Sequence, residues 1–522
     1  MKKNIIFVLL IVLALCSSCS ENKQFEEEKS ALPTIYIEAG DIGPKSIEGT
    51  MKIVDPIDNT PEEQLYDGEI EIKLRGNSTA YRDKHPYKVK LKEKTDIFGM
   101  GENKHWVLLA NDLDHTQIRN QITLDFARAI GMNNSSESKL VSLVLNGEYQ
   151  GVYELAEHVR VGKTRINIFD WEDTFADEID GEIIPKSGKE VVTDTPQTGG
   201  FLLEGDSRTY EDFFSDGEYD ESLLKDKDKM TNNIFTDWYM PLSFNTPEGV
   251  YPDTELYEYT YNYIQSFEYA LHSPDFTYHA NDKHYMPTNM KVTVDEKGAH
   301  WTYDLKESDY HDKQFDGYKY TDFFDLDSLV NYFILNELTM NFDAMRNSIY
   351  LYKDIEGKAY MGPAWDYDIA FNNTSFNNNA YITDTWKNLD DRFFTEGDNF
   401  FFQSVQWYVE LCKNEEFLDA VYDKYQAIRK TAIQDMIDSV YEYEKLLDYD
   451  CKKNDDVWGY RYSNRYDDPN ADIDNSFSKY SGVGYKEAYK FLEQFLEERV
   501  SWLDKQMSTK ETFYKSISNC LD

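Results

Sequence analysis

The stretch NFDAMRNSIYLYKDIEGKAYMGPAWDYDIAF, residues 341–371, decides how this chain is read. Asp343 closes an apolar run, SIYLYKD and KAYMGPAWD read as the two arms of a hairpin, and Asp366 and Asp368 bracket a tyrosine in WDYD. A lone aspartate in such a place ordinarily caps a turn or a loop. Three of them around one hairpin, with Gly-Pro-Ala-Trp forcing a rigid entry to Asp366, also suit a cage for a divalent cation and the phosphates it carries.

Working outward, DFFDLDSLVNYFILNELTMNFDAM reads as a buried helix that runs straight into the motif. Towards the N-terminus, TIYIEA, GEIEIKLRG, PYKVKLKEK and HWVLLAN carry strand signals, the second and third by alternation of apolar and charged residues. In DHTQIRNQITLDFARAIGM, Ile118, Ile122, Phe126 and Ile130 recur at helical spacing and Gly131 supplies a stop. KLVSLVLNGEYQGVYELAEHV then predicts a hairpin across Asn146-Gly147. Residues 205–300 form an acidic, Tyr-rich insertion with one helix near ELYEYTYNYIQSFEYAL, and beyond residue 395 the pattern is mostly helical. The expected class is α+β: a β-rich N-terminal lobe over 34–160 precedes a helix-rich C-terminal lobe over 161–522.

A small β-rich lobe, a large helical lobe and two aspartates separated by a short hairpin form the layout that phosphoryl transfer from ATP requires. In that arrangement one aspartate orients the acceptor hydroxyl and the other grips the magnesium that bridges the phosphates. Asp343 and Asp366 stand in this relation, Asn347 or Ser348 offers a further oxygen, and Asp368 is a second-metal or supporting ligand.

Composition narrows the partners. With 97 acidic against 54 basic residues the net charge is -43, which repels a nucleic-acid backbone and an anionic bilayer alike. An ATP site in such a field needs local cations as well as metal. MKKNIIFVLLIVLALCSSCSENK reads as an export signal over residues 1–19, with an apolar run too short to span a membrane, and Cys19 as the lipidated residue of a bacterial lipobox. A polar tether over 20–33 follows, so the expected location is the bacterial envelope, outer membrane or cell surface, held by lipid alone. Only Cys412, Cys451 and Cys520 remain after processing, no framework of disulfides, and His279 and His284 read as surface histidines in a loop.

The runs RGNSTAYRDKHPYKVKLKEK, HWVLLANDLDHTQIRNQITLDFARAIGM, LVLNGEYQGVYELAEHV, GGFLLEGD and NFDAMRNSIYLYKD through GPAWDYDIAF, in this order, resemble the CotH kinase family, named for a spore coat protein. The resemblance implies an atypical, two-lobed protein-kinase-like fold. It also implies use of ATP with Mg2+ or Mn2+ to phosphorylate Ser or Thr of a protein substrate, with Asp343 as the catalytic aspartate and Asp366 as the metal ligand. The chain has no GxGxxG, HRD or DFG. Phosphate binding is therefore expected on Arg75-Gly76-Asn77-Ser78 and on lysines, with Lys90 and Arg75 favoured over Lys88 and Lys104. Glu157 in YELAEH matches a strong family position and is expected to contact nucleotide or balance a lysine; Glu204 and Asp206 also match without a derived role. Because ATP is scarce outside the cytoplasm, a non-catalytic surface protein that binds glycan or host protein on the same scaffold is the competing expectation. A glycosidase with paired carboxylates is a third, though no spacing singles out its acid and nucleophile.

Overall fold

Alternating apolar and polar residues build seven strands at the N-terminal end: β1 (Thr34–Ala39), β2 (Ile47–Val54), β3 (Asp67–Leu74), β4 (Tyr87–Asp96), β5 (Glu102–Leu109), β6 (Ser138–Leu145) and β7 (Glu148–Glu157). The structure is a computed structural model that describes residues 30–57, 59–76, 79–175, 194–205, 214–215, 218–219, 233–238, 241–248, 250, 252, 254–295, 298–345, 347–373, 381–389, 402–459 and 484–521. The leader, Cys19, most of the tether, Asn77, Ser78 and Asp206 lie outside the described residues.

The seven strands close into a barrel in the order β1-β2-β3-β4-β5-β7-β6. The expected β-rich region is present, but as a closed barrel, which departs from the two-lobed kinase-like fold expected. The β6–β7 hairpin folds back so that β7 pairs with β5, while β6 lies parallel to β1 with Ile35 opposite Leu143 and Ile37 opposite Leu145. Both sheet edges are thereby consumed. Inside, Ile37, Ile53, Ile72, Val89, Trp106 and Leu143 are sealed from water. The turn between β6 and β7 is the expected Asn146-Gly147, with φ of 51° and 80°, the left-handed pair that a two-residue hairpin demands.

The second sheet has five antiparallel strands in the order 233–235, 241–246, β8 (Phe201–Gly205), 349–353 and 359–361. The hairpin of the opening stretch is thus an edge of this sheet. Part of the stretch expected as an insertion supplies two of its strands and the helix Glu255–Leu271, whose Leu256, Ile264, Phe267 and Leu271 are core residues. Val107 and Ala156 on the barrel's outer wall, with Val159 just past β7, pack against Leu202, Tyr350 and Trp365 of this region.

Helices Phe402–Leu411, Glu415–Ile428, Ala432–Leu446, Asp448–Trp458, Tyr485–Gln506 and Lys510–Leu521 cover the rest. Barrel and helices are fastened by hydrogen bonds. The buried Lys84 ammonium donates to Val152 O at 2.7 Å, Gln117 Oε1 at 2.9 Å and Asn454 Oδ1 at 3.1 Å. Trp458 Nε1 donates to Gln150 O at 2.9 Å, and Tyr489 Oη to Thr116 O at 3.0 Å. Deeper in the core, Arg499 pairs with Glu337 at 2.9 Å. Among the described residues no helix is long and apolar enough to cross a membrane.

Candidate functional site

Helix Leu326–Thr339 carries the first carboxylate to its place. Asp325 caps it, accepting from Ser328 N at 2.9 Å, and all but two of its residues are buried, so its axis is fixed by packing on every side. It ends at Met340, in the left-handed region at φ 47°, and the chain turns through Asn341 to Asp343. Asn347 Nδ2 donates to Asp343 Oδ1 at 3.0 Å, which holds the half-buried carboxylate by one oxygen.

The second carboxylate sits on a loop pinned from below. Tyr367 is buried; its N–H donates to Asn120 Oδ1 at 2.6 Å and its hydroxyl to Asn336 Oδ1 at 3.2 Å, while Ala364 N donates to Ser135 Oγ at 3.1 Å. With Tyr367 anchored inward, its neighbours Asp366 and Asp368 turn the other way. Asp366 is exposed and left-handed at φ 67°, a conformation Asp tolerates better than most residues and one that clusters at functional sites. Ser348 Oγ donates to Asp366 Oδ2 at 3.3 Å.

These elements bring Asp343, Asp366 and Asp368 within electrostatic reach of one another. The Asp368 carboxyl is pushed well above the carboxylate range, first by burial and then by the charges of Asp366, Asp343 and Asp114, with Arg82 opposing. Asp114 is itself committed to a buried pair with Arg119 and to the Thr116 N–H at 2.9 Å. A carboxyl whose proton affinity is raised by neighbouring acids is what a hard divalent cation relieves, and the donors here (carboxylates, an amide and a hydroxyl) suit magnesium or manganese. Among the described residues no three His, Cys, Asp or Glu form a ready-made metal cluster. The site fits an ion that keeps waters and takes further oxygens from phosphate, the habit of magnesium.

Cations gather beside these acids. The Arg75 guanidinium lies 5.7 Å over the Trp365 ring; burial lowers its pKa, and the charges of Asp366, Tyr350 and Glu204 oppose that fall. Tyr350 Oη donates to Glu204 Oε1 at 2.8 Å. Half-buried Lys88 is held down by burial and then by Lys73, Arg160 and Arg75. His158 is kept neutral by burial and then by Lys88, Arg75 and Arg160, and His105 is pushed down to about 3, first by burial and then by Arg160 and three lysines. In a chain of net charge -43 this is a local positive field.

Of the nominated phosphate ligands, Arg75 and Lys88 join the cluster. Lys90 is on the same outer wall, but it is exposed and held by Glu71 at 3.2 Å, as the alternating strand pattern allows. Glu157 balances an arginine rather than a lysine: it pairs with Arg165, accepts from Glu137 N at 2.7 Å, and burial pushes it up to about 7 against the pull of Arg165. Sequence reasoning missed Arg82, buried and 3.3 Å from Asp112, as well as Arg160 and the Glu204–Tyr350 pair. The family-like run GGFLLEGD flagged Glu204 without a role; Arg82 and Arg160 carried no signal of their own. His284 is buried among aromatic rings, not on the surface.

Fold and site together define an α+β protein with a carboxylate cluster beside a group of cations. Residues 72–191 and 218–503 match the model of the family described as CotH kinase protein, and the chain belongs to that family. A comparison with curated proteins finds no match.

Proposed function

We propose that this protein is a lipid-anchored, metal-dependent phosphotransferase of the bacterial envelope that moves the γ-phosphate of ATP to Ser or Thr of a protein, on a two-lobed kinase-like plan in which the barrel serves as the smaller lobe. Family membership supports kinase-like chemistry. The single observation that carries the reading is the convergence of Asp343 and Asp366 on Asp368, with Arg75 alongside.

Asp343, positioned by Asn347, orients an acceptor hydroxyl and takes its proton. Asp366, Asp368 and Asn347 would hold magnesium or manganese, which when bound neutralises charge building on the transferred phosphoryl group. Arg75 and Lys88 bind phosphate oxygens, Arg75 with a planar fork fixed over Trp365. His158 and His105, neutral, add bulk without cancelling the local field. Lipid at Cys19 would tether the enzyme, and incorporation of labelled fatty acid lost in Cys19→Ala tests that part.

The test of the activity is incubation of the full chain with labelled ATP, Mn2+ or Mg2+ and a Ser-rich polypeptide. Transfer of label that depends on metal and vanishes in Asp366→Ala is expected. Absence of nucleotide binding in the parent chain overturns the reading.

A further inference from the structure

Glu154, on β7, is 0% exposed and plays no part in the transfer proposed above. Burial pushes its carboxyl up to about 7; Asn111 opposes the rise through a hydrogen bond, and Ser138 opposes it without closing one of normal geometry. Its Oε1 is left without a partner. A buried carboxyl with an unmatched oxygen costs stability that an apolar side chain of the same size would not.

The matched oxygen ends a relay that begins in the carboxylate cluster. Tyr367, between Asp366 and Asp368, donates its N–H to Asn120 Oδ1 at 2.6 Å. Asn120 Nδ2 donates to Asn111 Oδ1 at 3.0 Å, and Asn111 Nδ2 donates to Glu154 Oε2 at 3.0 Å. The first link fixes the direction of the others, because a backbone N–H can only donate. Asn120 must present its oxygen to Tyr367, which turns its amide nitrogen towards Asn111 and, by the same rule, that of Asn111 towards Glu154. Amides aligned head to tail polarise one another, and a carboxyl oxygen is the acceptor on which such a series closes.

The loop that carries Asn111 also grips Asp368 itself. Asn373 Nδ2 donates to Leu113 O at 3.0 Å and to Asp368 O at 2.7 Å. Within the loop, Gln117 Nε2 donates to Asn111 O at 3.2 Å, and the Lys84 ammonium donates to Gln117 Oε1 at 2.9 Å. Asn111 and Gln117 are both left-handed, at φ 46° and 62°, a costly conformation that persists only where the surroundings hold it. The turn bearing the acids is thus clasped at two consecutive residues, at Tyr367 N and at Asp368 O.

We propose that Glu154 is a positioning residue for this turn: through Asn111 and Asn120 it holds the Tyr367 N–H, and with it the pitch at which Asp366 and Asp368 present their oxygens. The use of that pitch, to hold a metal ion, rests on the phosphotransfer reading; the relay does not.

Hydrogen–deuterium exchange of the full chain, read on peptides spanning residues 364–371, compares the parent with Glu154→Leu, Glu154→Gln and Asn111→Gly, the last of which keeps the left-handed backbone without its side chain. Exchange there is expected to run about fivefold faster in Glu154→Leu, the worth of one hydrogen bond. The melting temperature should change little, because leucine also removes the unmatched oxygen. Glu154→Gln, which keeps an acceptor for Asn111, should stay within about twofold of the parent. Asn111→Gly should match Glu154→Leu, and the double variant should exchange no faster than either, since both break one chain. Under the phosphotransfer reading, Mn2+ titrated without nucleotide should bind about fivefold more weakly to Glu154→Leu and Asn111→Gly than to the parent. A parent that binds no Mn2+ overturns that reading, and exchange still decides the relay. Unchanged exchange over 364–371 in Glu154→Leu or in Asn111→Gly, or additive changes in the double variant, overturns the proposal. If Glu154→Leu fails to fold, Asn111→Gly against Glu154→Gln decides it.

Discussion

Asp343→Asn separates proton transfer from everything else the site does. Asn347 Nδ2 donates to Asp343 Oδ1 at 3.0 Å, and an asparagine at 343 retains a carbonyl oxygen for that bond, so the fold loses at most about 1 kcal/mol. Removing one of the charges that raise the Asp368 pKa acts in the opposite, stabilising sense. The melting temperature should therefore shift by no more than about 3 °C. Nucleotide affinity should be unchanged, because the variant keeps Asp366, Arg75 and Lys88. The rate of label transfer from ATP should fall by about 10²–10⁴, the usual contribution of a positioned general base. That is roughly 2.7–5.4 kcal/mol of barrier. Transfer measured under single-turnover conditions, with calorimetry for nucleotide and a thermal melt for fold, gives all three numbers. A variant that transfers phosphate at the parent rate removes Asp343 from the chemistry; one that loses nucleotide binding at an intact melt makes it a binding residue instead.

Divalent cation should stabilise the parent, by about 2.7 kcal/mol at a hundred times its dissociation constant; the rise in melting temperature should be reversed by chelator and absent in Asp366→Asn. Arg75→Ala should weaken nucleotide binding about tenfold or more, since a fixed guanidinium beside the acids is lost, whereas Lys90→Ala, which breaks only an exposed pair with Glu71, should change stability by about 0.2–1 kcal/mol and leave affinity alone. Burial pushes Glu268 from 4.5 up to about 8, while Trp407 Nε1 donates to its Oε1 at 2.9 Å. A carboxyl raised on folding contributes stability that is full below its ordinary value and lost as pH climbs to 8. Urea titrations should therefore show Glu268→Gln gaining on the parent across that window, by up to roughly 5 kcal/mol; parallel pH curves would refute it. Glu337→Ala should cost about 3–5 kcal/mol in the same assay, because it strands the buried Arg499.

Local features were the most legible in the sequence. Asn146-Gly147, the helix over residues 119–129 and the hairpin ahead of Asp366 all stand where residue type and period put them, because each depends on neighbours a few positions away. The three aspartates were legible for the same reason, spaced by a single hairpin. Closure of the barrel was not, since it rests on the parallel pairing of β1 with β6, about a hundred residues downstream, and no local pattern encodes a partner at that distance. Strand β2 carries the needed alternation in Met51 and Ile53 but follows a Gly- and Pro-broken run that obscured it. The structure pairs Lys90 with Glu71, and an outward lysine on an amphipathic strand looks the same in sequence whether it meets phosphate or a carboxylate. Arg82 acts through burial, a property that sequence does not print.

The Lys84 ammonium and the Trp458 and Tyr489 contacts give this molecule a stiff spine. Hinged kinases breathe by swinging one half over the other at each turnover. Here any such swing of barrel against helices must break the buried Lys84–Asn454 bond together with those of Trp458 to Gln150 and Tyr489 to Thr116. If the proposed phosphotransfer holds, turnover should therefore be insensitive to slow, large-scale rocking of the barrel against the helices.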